Sequence, residues 1–170
     1  MQKWLSWTIG LSLTGMLVAC GPTNQQFAPA ILNSRYTDEQ PALSGDGRFI
    51  AFLSNRGSDR QMLMYDLQKR ELVDLLRLNQ QEVIIESPSL SYTGRYLAYL
   101  ASTQGRTEIK LYDRVTKRSQ SLTPGYVSWL RNPSISADGR YIVFETSRRG
   151  QWDIEVLDRG PNIELDIPNG

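Results

Sequence analysis

The chain has 170 residues, with 19 basic and 18 acidic side chains, a single Cys and no His. Without His, Ser-His-Asp and Cys-His nucleophilic sites and every His-containing metal site are excluded. Net charge near zero argues against a protein built around nucleic acid or another anionic polymer, and one Cys leaves no internal disulfide.

Residues 1–20 read as a targeting segment. Lys3 is the only charged side chain, and Leu5 to Ala19 is apolar or hydroxylated without an acid. The run is short for a membrane span. Leu17-Val18-Ala19-Cys20 resembles the lipobox of bacterial lipoproteins, with small Ala before the Cys. That resemblance implies a diacylglyceryl thioether on Cys20, acylation of the new N-terminus and attachment to a membrane. Gly21 after the Cys, by analogy with Gram-negative sorting, favours the outer membrane, with the protein facing the periplasm. Residues 21–40 then form a tether, G-P-T-N-Q-Q-F-A-P-A, followed by one candidate strand from Ile31 to Gln40.

The remainder, 41–170, is repetitive. Pro41 to Asp66, Pro88 to Asp113 and Pro133 to Asp158 align without a gap, starting 47 and 45 residues apart. Each copy opens on a short lead-in around Leu43, Leu90 or Ile135. A tight turn follows, Asp46-Gly47, Thr93-Gly94 or Asp138-Gly139. Next come strands apolar on both faces: Phe49 to Leu53, Tyr96 to Leu100, Tyr141 to Phe144. After a Gly-containing loop the third strands alternate, over Met62 to Tyr65, Ile109 to Tyr112 and Ile154 to Leu157. A fourth strand is clearest in the third copy, where Ile163, Leu165 and Ile167 alternate with Glu164 and Asp166. Four strands of falling burial per repeat make one blade of a β-propeller. The expected fold is all-β: three four-stranded antiparallel blades, a half or open propeller. The pattern P-x-[apolar]-S-x-D-G-R-[aromatic] resembles the TolB-type propeller repeat. That likeness implies a part in the cell envelope as a protein-interaction module.

The repeated acids have structural work. Asp46 and Asp138 sit in tight turns, and Asp66, Asp113 and Asp158 open the turn after the third strand. Arg48, Arg95 and Arg140 follow the turns and are expected to lie over neighbouring aromatics on the surface. No calcium loop, phosphate-cradling Gly loop or nucleophile elbow is present. Neither cofactor nor metal is expected, and no catalysis.

Residues that break the repeat are the candidates for partner binding. Tyr126, Trp129 and Arg131 enter the third repeat, and Arg148, Arg149 and Trp152 occupy its hairpin loop. Glu39 and Glu86 take the first position in the other copies, with Arg56 in a hairpin loop. Trp and Arg are enriched in binding hot spots, but Trp129 and Trp152 packed between blades is the other reading. Three blades are too few to close a ring, so the flanks of the first and last are expected to stay apolar and open. Two chains joined as three plus three blades would solve this. The expected function is a lipid-anchored module that binds another envelope protein or cell-wall material. The alternative is a periplasmic module that binds a small molecule or glycan by stacking on Trp129 or Trp152.

Overall fold

The computed structural model describes residue 32, residues 34–57, 59–76, 78–79 and 84–167. The targeting segment, Cys20, the tether and Ile31 lie outside the described residues. Among the described residues every regular element is a strand.

Three separate antiparallel sheets follow one another. The first blade is β1 (Asp38–Leu43), β2 (Phe49–Ser54), β3 (Gln61–Asp66) and β4 (Glu71–Val73), in that order. The second is β5 (Ile84–Leu90), β6 (Tyr96–Thr103), β7 (Arg106–Asp113) and β8 (Arg118–Ser121). The third is β9 (Leu130–Ile135), β10 (Tyr141–Thr146) and β11 (Asp153–Asp158), three strands only. The fourth strand expected over Ile163 to Ile167 does not form. That segment leaves β11 at Gly160 and returns to the second blade, where its polar groups find partners. Asp38 to Gln40 likewise extend β1 rather than making an extra outer strand.

The repeat is visible in the backbone. Each inner strand carries a bulge before its Pro, with Gln40, Ser87 and Asn132 at φ of 52° or just below. Each tight turn closes with the Gly amide donating to a Ser carbonyl: Gly47 to Ser44, Gly94 to Ser91, Gly139 to Ser136. In the first and third turns the Asp carboxylate accepts from the Ser hydroxyl and from the following Arg amide.

Each blade offers a forward face to the next in sequence. Phe49, Ala51, Leu53, Met62 and Met64 of the first blade bury against Leu90, Leu97, Tyr99 and Tyr112 of the second. Tyr96, Ala98, Leu100, Ile109 and Leu111 of the second bury against Leu130, Ile135, Ile142 and Phe144 of the third. These are the two cores, and they sit between sheets.

The seam is fixed at the turns. The Phe49 ring lies against Gly94 of the next blade, and the Tyr96 ring against Gly139. Both glycines have positive φ; a Cβ on Gly139 would strike the Tyr96 ring, and one on Gly94 would press tightly on Phe49. Arg114 stacks on Phe49 at 4.0 Å and donates to the carbonyls of Gly94 and Thr93. Arg159 repeats this on Tyr96 at 4.4 Å, donating to Gly139. Repeat alignment carries a mark of this clamp: Arg follows Asp113 and Asp158, whereas Leu67 follows Asp66 in the first described blade.

Arg48, Arg95 and Arg140 lie 4.8, 5.0 and 5.0 Å from the next aromatic centroid, over neighbouring aromatics as expected, but Phe49 and Tyr96 are buried and only Tyr141 is on the surface. Each also pairs with the acid at the end of its own third strand, Asp66, Asp113 or Asp158. Those acids hold the following turn as well, accepting amides of Gln68 and Lys69, of Val115, and of Gly160.

Two tests follow from this frame. Gly139→Ala adds a steric clash to a left-handed backbone and is expected to cost about 3 kcal/mol in urea unfolding. Gly47→Ala, with nothing within 4 Å of the new methyl, is expected to cost only about 1 kcal/mol. The second test uses Asp66, whose carboxyl the Arg48 guanidinium holds at about 2, below its ordinary 3.8. The folded form therefore binds that proton more weakly than the unfolded chain. Its stabilisation is complete above about pH 4 and is lost as pH falls through 2. Asp66→Asn is expected to cost about 2 kcal/mol near neutrality. The gap to wild type should narrow over that acid window.

Candidate interaction surface

The forward face of the third blade has the same register as the two buried ones, yet nothing among the described residues covers it. Tyr141 is 40% exposed where Phe49 and Tyr96 are 5% and 2%. Ile154 and Val156 are 67% and 63% exposed, at the positions of Met62, Ile109, Met64 and Leu111, all buried. Val143 lies beside them, paired with Val156. Together these four side chains form an apolar strip. The flank of the first blade is mixed: Phe52 and Tyr65 are buried, whereas Leu43 and Leu72 on the same face are 57% and 42% exposed. Apolar side chains are therefore open on both flanks, more continuously on the third blade.

Ion pairs rim the strip at both ends. Arg140 and Asp158 close one end at 2.8 Å. At the other, Arg131 pairs with Glu145 at 2.6 Å and stacks on Trp152 at 3.8 Å. Asn132 donates to the second Glu145 oxygen. These two bonds hold the Glu145 carboxyl below its ordinary value, so it stays charged. Glu145 occupies the position of Leu53 and Leu100, both buried. Sequence reasoning missed it, although the substitution of an acid for Leu is visible once the repeats are aligned.

The other candidate residues fall into two further places. Arg60 bridges Glu39 and Glu86 at 2.6 and 3.3 Å across the first seam, and Arg56 pairs with Asp38 at 2.7 Å. Tyr126 donates to Glu155 at 2.8 Å, a bond that raises the pKa of its hydroxyl, and it meets Phe144 edge-on at 6.1 Å. Arg148 joins the same Glu155, and Arg149 pairs with Asp153. The structure therefore neutralises each singled-out Arg with a carboxylate and does not gather the basic residues into one cationic patch. Trp129 and Trp152 are 60% and 46% exposed, which rules out the reading that packs them between blades. A shallow hollow of about 140 Å³ lies beside Trp129, lined also by Tyr126 and Arg106.

No family model matches the chain, and no curated relative matches it. Solved structures do. TolB from Acinetobacter baumannii superposes with a TM-score of 0.61 at 24% identity, covering 75% of this chain and 31% of that one. A putative TolB from Agrobacterium tumefaciens gives 0.58 at 20% identity, over 71% and 43%. The β-propeller domain of the Trilobed protease from Pyrococcus furiosus gives 0.54 at 14% identity, over 72% and 39%. The fold is that of β-propeller blades. The chain spans less than half of each of these proteins.

Charge placed on the open strip tests its exposure. Val156→Asp is expected to change stability by less than about 0.5 kcal/mol. Leu111→Asp, at the same register position one blade earlier, buries an unpaired charge and should leave no folded protein at room temperature by circular dichroism.

Proposed function

We infer that this chain is a non-catalytic protein-interaction module of the cell envelope, tethered by lipid on Cys20 and docking a partner on the forward face of its third blade. The observation that carries this reading is the apolar strip of Tyr141, Val143, Ile154 and Val156. Its counterparts in both other blades are covered by a neighbouring sheet. An apolar patch rimmed by polar groups is the usual form of a protein-binding surface. Tyr141, Trp152 and Arg131 supply the residue types that dominate binding energy. The likeness to TolB blades supports an envelope setting, and the lipobox-like Leu17 to Cys20 supports the anchor. Several acyl chains, at about 0.8 kcal/mol per buried methylene, hold a protein to a membrane essentially permanently.

Two partners suit the strip: another envelope protein, or a second copy completing three plus three blades. The reading in which a glycan stacks on Trp152 is less well supported, because Arg131 already covers one face of that ring. A photoreactive residue at Ile154, used in intact cells, should give a discrete adduct. The same group at Val115, exposed in the turn between β7 and β8, should give none. An adduct of twice the chain mass identifies the second copy, and another mass an envelope protein. Absence of any adduct at Ile154 overturns the docking site. Cys20→Ser should move the protein from the membrane to the aqueous fraction.

A further inference from the structure

The second repeat lacks the turn acid. Where the first and third have Asp46 and Asp138, the second has Thr93. The structure replaces the missing group from 73 residues away. The Asp166 carboxylate accepts from the Ser91 hydroxyl at 2.5 Å, the Thr93 amide at 2.8 Å and the Thr93 hydroxyl at 2.5 Å. Asp166 is 5% exposed and its amide donates to the Asp138 carbonyl at 2.8 Å. Two residues earlier, Glu164 pairs with Arg95 at 2.7 Å and its carbonyl accepts the Tyr96 hydroxyl at 2.5 Å.

The notch thus reads two carboxylates at a fixed spacing together with the backbone between them. It does so with a cation, two hydroxyls, a phenol and an amide, all placed by the second blade. Little apolar burial holds the segment down, because Leu165 and Ile167 are 41% and 57% exposed. A ligand seated by polar bonds, and contributing few apolar contacts, can be exchanged for one with the same groups. When it leaves, the Thr93 amide loses its acceptor and the fully buried Ser91 hydroxyl keeps only the Tyr96 carbonyl at 3.3 Å, so the vacated notch favours another carboxylate.

We propose that Ser91, Thr93, Arg95 and Tyr96 form a recognition site for an extended acidic peptide of Glu-x-Asp spacing. Residues 163–167 occupy it as an intramolecular ligand, which an acidic segment of a partner displaces. This site is separate from the strip on the third blade and stands whether or not that strip docks a partner. A tethered ligand competes at an effective concentration on the order of millimolar, so the wild-type chain binds free peptide weakly.

The test uses the labelled peptide Asn-Ile-Glu-Leu-Asp-Ile-Pro, titrated by fluorescence anisotropy against the full chain. Asp166→Ala, which removes the resident carboxylate and its three hydrogen bonds, is expected to bind it at least tenfold more tightly than wild type. A peptide with Asn for its Asp should not bind. Thr93→Asp places the carboxylate within the turn, as in the other two repeats. That variant should stay folded, bind no peptide and lose hydrogen-exchange protection at the Asp166 amide. Should Asp166→Ala fail to fold, the wild-type chain answers instead: millimolar peptide must speed exchange at that amide. No saturable binding to folded Asp166→Ala, binding retained by Thr93→Asp, or a wild-type amide indifferent to peptide would each overturn the proposal.

Discussion

The contact on which the assembly of sheets depends is an aromatic ring laid over a glycine of the following blade. A four-stranded antiparallel sheet this small has two apolar faces and cannot hide either by itself. Packing against a neighbour solves that only if the wedge angle is fixed, and it is fixed at the turn. Phe49 on Gly94 and Tyr96 on Gly139 bring the sheets into contact at one end. Arg114 and Arg159 then close over the ring and tie themselves to the turn carbonyls. Each ring also has its own Arg, Arg48 or Arg95, on it. An aromatic between two guanidinium groups is favourable only when the positive charge is balanced, and Asp66 and Asp113 provide balance for Arg48 and Arg95. One short motif thereby sets turn geometry, sheet spacing and surface charge together.

Carboxylates at the turns follow the same economy of parts. A Ser hydroxyl at the head of each turn takes the amide of the aromatic five residues on. Its own proton needs an acceptor, which Asp46 and Asp138 provide locally and Asp166 provides from a distance. The chain beyond β11 is diverted to the second blade by this need. Its alternating Ile163, Leu165 and Ile167 satisfy the pattern of an edge strand, but an edge strand here would give only weak pairing on an exposed rim. Buried polar groups left unpaired are costlier than a few rim hydrogen bonds forgone.

Much of the fold was legible because strand periodicity and turn chemistry are local. The three middle strands, the alternating third strands and the placement of Arg48, Arg95 and Arg140 over their aromatics all follow from neighbours within a few residues. What the sequence concealed was contact between repeats. Asp166 lies 75 residues from Ser91, and no local rule links them. Its one trace is a missing acid, Thr93 in an Asp position. Arg114 and Arg159 were in plain view, yet their purpose emerges only when a preceding blade is there to clamp. Trp129 and Trp152 were ambiguous for a related reason: a large aromatic has the same composition signal in a seam and on a surface.

The third blade differs from the other two in its forward face, which nothing among the described residues covers. In the first two blades the forward face is Leu, Ala and aromatic on β2 or β6, with long apolar side chains opposite. In the third, Val143 replaces Ala and Glu145 replaces Leu. Val on an exposed strand fits the pleat without a covering sheet. Glu145 is charged, and a charge facing outward on an open sheet resists indiscriminate stacking of another apolar face. Yet Arg131 and Asn132 already satisfy it, so a surface with matching polar groups meets no unpaired charge there. Tyr141, Val156 and Ile154 remain apolar beside it. A strip with one satisfied acid at its margin admits a partner that matches the rim and penalises one that does not. That is selectivity built by altering two positions of a standard blade.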